Sequence, residues 1–143
     1  MNQAQSRTFS IAQTIFAVPV AIAIWLAVYT AAYMALGLLD SVRGLGDDWL
    51  QKIFRELFTP GVGGYVAILA TNSWLSRANR KTVFWGFSVP VFLFMIGLPI
   101  VMIFFLPDTL TFVWSEQIIR WLGGAATLFG AWFAQKRIAQ HGF

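Results

Sequence analysis

From Ile11 to Leu39 the chain runs 29 residues without a charged side chain. As a helix at ~1.5 Å per residue this run exceeds the ~30 Å hydrocarbon thickness of a bilayer. It must tilt, kink or protrude, and Pro19 is the expected kink, with the part before it running along the interface. A secretory signal has an apolar core of only about 7 to 15 residues, so the run reads as an uncleaved first span. A second uncharged run, Thr82 to Leu106, has 25 residues. Only 11% of the 143 residues are charged and 58% are hydrophobic, whereas a soluble surface needs about 25–35% charged residues. The expectation is an all-α polytopic membrane protein forming a single helical domain over 1–143.

Two shorter apolar segments complete the pattern, giving four expected spans at about 11–39, 62–76, 82–106 and 112–135. The 62–76 segment covers only about 22 Å as a helix, so it either crosses a thinned bilayer or is re-entrant. Between the first two spans lies an amphipathic segment, 47–58. Trp49, Leu50, Ile53, Phe54, Leu57 and Phe58 form one face, and Asp47, Asp48, Gln51, Lys52, Arg55 and Glu56 the other. This is the pattern of a helix lying in the interface plane. Pro60 is expected to end it, and Gly61, Gly63 and Gly64 to turn the chain downward.

Without a hydrophobic effect between helices in lipid, close backbone approach depends on small side chains. Ala23, Ala27, Ala31 and Ala35 repeat every fourth residue on the first span. A second small-residue face, Gly123, Ala126, Thr127, Gly130, Ala131 and Ala134, lies on the last. One face is expected to be internal and the other intermolecular. Trp49, Phe54, Phe58, Trp74, Trp85 and Trp132, with Arg77, Arg80 and Lys81, are the expected interface anchors. With both termini cytoplasmic, the inner side holds Arg7, Arg77, Arg80, Lys81, Lys136 and Arg137, and the outer side Arg43, Lys52, Arg55 and Arg120. That bias follows the positive-inside rule, and the expected location is the inner (plasma) membrane.

Polar groups at depth are few. Glu116 and Arg120 stand at i, i+4 with the acid first, the favourable order for a helical ion pair. Ionisable groups near the membrane interior are functional candidates by default. Thr71, Asn72 and Ser73 could line an aqueous path, although an interhelical hydrogen bond is the plainer role. The chain has no cysteine and one histidine, His141. Thiolate metal sites, disulfides and histidine acid–base chemistry are therefore not expected, and no cofactor is. Gly61-Val62-Gly63-Gly64 lacks the Lys-Ser/Thr and preceding strand of a phosphate loop. The ten basic residues are scattered over short loops, which argues against nucleic acid. These features point to a non-enzymatic multi-pass protein that acts by helix packing. It would be an accessory subunit of a larger membrane protein or a homo-oligomer, with lipid as its surroundings. The alternative is a homo-oligomeric pore or membrane-perturbing effector of the toxin, lysis or phage-defence type.

Overall fold

The computed structural model describes residues 3–43, 53–76, 78–105 and 114–141. Of these, 96% are helical and none is in a strand. Helix α1 (Gln3–Arg43) is one helix of 41 residues with Pro19 inside it. The helix is continuous through Pro19 and runs four residues past the expected end of the span at Leu39. A proline removes one hydrogen bond, and a helix this long keeps its other bonds on both sides.

The second helical stretch departs most from expectation. A π-helical turn, Phe54–Phe58, leads without a break into α2 (Thr59–Trp74). Pro60 therefore does not end a separate in-plane helix, and Gly61, Gly63 and Gly64 are helical rather than a bend. Trp49 and the rest of 47–52 lie outside the described residues. The physical reason is the π turn itself. Proline at position i has no N–H and its ring clashes with the carbonyl of i−4, here Glu56. A π turn displaces that carbonyl, so the helix continues. The continuous rod from Ile53 to Trp74 is about 33 Å long, about the width of a bilayer core.

The same device recurs in the next rod. Helix α3 (Arg80–Phe92) is followed by a π turn, Leu93–Gly97, and by α4 (Leu98–Phe105). The Leu98 N–H donates to the Leu93 carbonyl, the i to i+5 bond of a π turn. Pro99 stands two residues beyond the turn, just as Pro60 stands two residues beyond Phe58. Asn79 caps α3, its Oδ1 accepting from the N–H groups of Lys81 at 3.1 Å and Thr82 at 3.3 Å. Its own N–H donates to Thr14 Oγ1 at 2.9 Å, tying this corner to α1. The last helix, α5 (Trp114–His141), is 28 residues long.

The rods alternate in direction, so α2 and α5 run parallel and form the most extensive pair, with α1 on α2 next. Their close crossing follows from glycine. A Cβ on Gly64 would collide with the Thr127 carbonyl, and one on Gly130 with the Gly61 carbonyl. One on Gly123 would lie 2.5 Å from the carbonyl of Glu56, the group whose partner Pro60 removes. The core comprises Ala17, Ala21 and Trp25 of α1, Ala67 and Ile68 of α2, Val83, Phe87 and Val91 of α3, and Ala131, Ala134 and Ile138 of α5. Trp25 meets the Phe87 ring edge-on at 6.3 Å between centroids.

Many large apolar side chains are exposed among the described residues. Ser10–Leu38 and Arg80–Phe105 are long and apolar enough to cross a membrane, and only 17% of the most apolar window of each is buried. Ile15, Phe16, Phe104 and Phe105 are each more than two-thirds exposed.

Candidate functional site

The polar groups gather at the two ends of the bundle. At the end of α1 remote from Gln3, a cavity of about 460 Å³ opens between all four rods. Tyr29 and Tyr33 enter from α1, Glu56 from the first π turn, Phe94 and Met95 from the second, and Arg120 and Gly123 from α5. Both π turns thus border one cavity. Each widens its helix by a residue and so changes which side chains face inward, a feature frequent at functional sites.

The electrostatics of this cavity are mixed. Glu56 and Arg120 line it together with the Tyr29 and Tyr33 phenols. The Arg55 guanidinium lies over the Tyr33 ring at 4.8 Å, and its Nε is 4.0 Å from Glu56 Oε1. The Tyr29 and Tyr33 rings are 5.9 Å apart. One carboxylate, two guanidiniums and two phenols can bind a small polar or zwitterionic group. Among the described residues, no three His, Cys, Asp or Glu side chains come together as a metal site would require.

Arg120 belongs to this cavity, but the Glu116 side chain lies outside the described residues, so their expected pairing is not among the geometry given. At the opposite end, Thr71 and Asn72 are buried and Ser73 is exposed. The Asn72 Nδ2 donates to the Ile68 carbonyl at 2.8 Å and the Ser73 hydroxyl to the Ala70 carbonyl at 2.8 Å. Both bonds stay within α2, where a bond between helices is the plainer expectation. Arg137 Nη1 donates to the Tyr65 hydroxyl at 2.9 Å, a link between α5 and α2.

The two small-residue faces have different fates. Gly123, Ala126, Thr127 and Gly130 lie in or beside the α2–α5 crossing, Ala131 is buried in the core, and the Thr127 hydroxyl folds back onto the Gly123 carbonyl at 3.0 Å. Ala23, Ala27, Ala31 and Ala35 are all exposed. Helix α1 packs instead through Ala17, Ala21 and Trp25, on its other side. Trp74, Trp85, Trp132, Phe58 and Lys81 are exposed and Arg80 is half-buried. Arg77 and the side chain of Phe54 lie outside the described residues.

Glu56, expected only on the polar face of the amphipathic segment, joins Tyr29 and Tyr33, which spacing alone does not single out. Two tyrosines four apart inside an apolar span were the available signal, as was a carboxylate four residues before a proline. No protein-family model, no curated protein and no solved structure matches this chain, so its functional reading rests on its own residues.

Proposed function

We propose that this is a non-enzymatic multi-pass membrane protein that works by lateral assembly. Its four rods cross the bilayer, with both termini on the cytoplasmic side of the inner membrane. Its partner is a larger membrane protein or a second copy of itself. The observation that carries this reading is the strip Ala23–Ala27–Ala31–Ala35, which stays exposed while the equivalent face of α5 is filled by α2. In lipid, a strip of this kind lets a second helix approach to backbone contact. The basic end supports the orientation: Arg80, Lys81, Lys136 and Arg137 share it with Trp74, Trp85 and Trp132.

The alternative, a pore between copies, needs polar side chains on the outer surface. Asn72 is buried within the bundle, which favours the assembly reading. The test is the native mass in mild detergent, with co-purifying proteins identified, for the parent chain and for Ala27→Trp. The expected result is a defined complex that Ala27→Trp dissociates while helical content is unchanged. A parent chain that is monomeric and alone, or an Ala27→Trp complex indistinguishable from the parent, would overturn the proposal.

A further inference from the structure

At the basic end of the bundle, Asn72 is 3% exposed. Its Nδ2 is committed to the Ile68 carbonyl, which fixes the amide orientation and leaves Oδ1 without a partner among the described residues. A buried acceptor without a donor is costly, and such groups call for an occupant. Asn72 lines a cavity of about 350 Å³ together with Ser73, Tyr65 and Arg137. The same Tyr65 and Arg137 also border a groove of about 520 Å³ along the outside of the α2–α5 crossing. Gly61, Ala126 and Gly130 make the groove's floor and Phe58, Phe129 and Phe133 its apolar walls.

We infer that this cavity and groove together form a site for one anionic glycerophospholipid. The phosphate sits against the Arg137 guanidinium, a headgroup hydroxyl donates to Asn72 Oδ1, and an acyl chain lies in the groove. Charge complementarity selects this occupant. Lys136, held over the Trp132 ring at 5.3 Å, lines an adjoining cavity together with Arg137, and no acidic residue lines the cavity or the groove among the described residues. Length agrees as well. From Arg137 to Ala126 along α5 is about 16 Å, close to the ~15 Å half-thickness of the hydrocarbon core. The inference rests on the bundle lying in a bilayer and is independent of association through α1.

The test uses the purified full chain, delipidated in mild detergent and offered dioleoylphosphatidylglycerol or dioleoylphosphatidylcholine. One-to-one adducts are read by native mass spectrometry and the melting midpoint by circular dichroism. Phosphatidylglycerol is expected to bind at least about fivefold more tightly than phosphatidylcholine. Arg137→Ala should abolish that preference, Asn72→Leu should weaken phosphatidylglycerol binding severalfold, and Lys81→Ala should behave as the parent. Equal retention of both lipids by the parent chain overturns the site, as does a preference that survives in Arg137→Ala. Glycerol 3-phosphate, a headgroup without tails, should raise the midpoint far less than the lipid; an equal rise would exclude the groove. Alkaline carbonate extraction of host membranes checks the bilayer premise separately, because an embedded chain stays in the pellet whatever its lipid preference.

Discussion

Replacing Gly64 by alanine introduces one methyl group where α2 meets the backbone of α5. The new Cβ would collide with the Thr127 carbonyl oxygen and lie 3.0 Å from its carbon and 3.1 Å from Thr127 Cγ2, inside ordinary contact distances. Backbone cannot rotate away as a side chain can, so the two helices must separate. A gap of about 0.5–1 Å forfeits about a quarter to a half of each ~0.1–0.2 kcal/mol contact, and over some tens of carbon contacts this loses about 1–3 kcal/mol. Alanine also returns some helix propensity, about 1 kcal/mol in water. Gly37→Ala supplies the control, since a Cβ there meets nothing within 4 Å. Both variants share the propensity gain, so their difference isolates the packing loss. Unfolding by sodium dodecyl sulfate titration in mixed micelles, followed by far-UV circular dichroism, should place Gly64→Ala about 1–3 kcal/mol below Gly37→Ala. Stabilities within about 0.5 kcal/mol would refute the argument that backbone contact sets this crossing.

Phe87→Ala removes a fully buried ring beside Trp25 and should cost about 3–5 kcal/mol in the same titration. Asn79→Ala removes the cap of α3 and should cost about 1 kcal/mol, with faster amide exchange at Lys81 and Thr82. Tyr33→Leu removes the ring beneath the Arg55 guanidinium and should lose only about 0.5–1 kcal/mol, a loss absent when Arg55 is already replaced by methionine.

The long helices were legible because absence of charge over 25 or more residues has few physical meanings. Periodicity likewise found the face of α5 that packs on α2, where Gly123, Thr127 and Gly130 are close enough for backbone contact. What misled was proline. Pro60 was read as a terminator on local propensity, yet a π turn moves the Glu56 carbonyl aside and the helix passes through. Length was misjudged for the same reason, since residues 53–61 belong to the second rod. The cavity at the π turns could not be read from spacing. A π turn changes the angular register of the residues after it, so a wheel drawn at 100° per residue does not carry across Phe54–Phe58 or Leu93–Gly97. Which of two alanine-type strips is internal was equally beyond the sequence, because Ala17–Ala21 and Ala23–Ala27 share the same spacing on opposite sides of one helix.

The chain has no native cysteine, so single cysteines report without background. The most direct test of assembly through α1 is disulfide and bifunctional cross-linking in native membranes, with cysteine placed in turn at Ala23, Ala27, Ala31 and Ala35. Leu26 and Met34, exposed on α1 but a quarter turn away, are the comparison positions. The account predicts adducts of one defined mass at the four alanine positions and weak or no adducts at Leu26 and Met34. Uniform labelling around the helix, or no adduct at any alanine position, would contradict it.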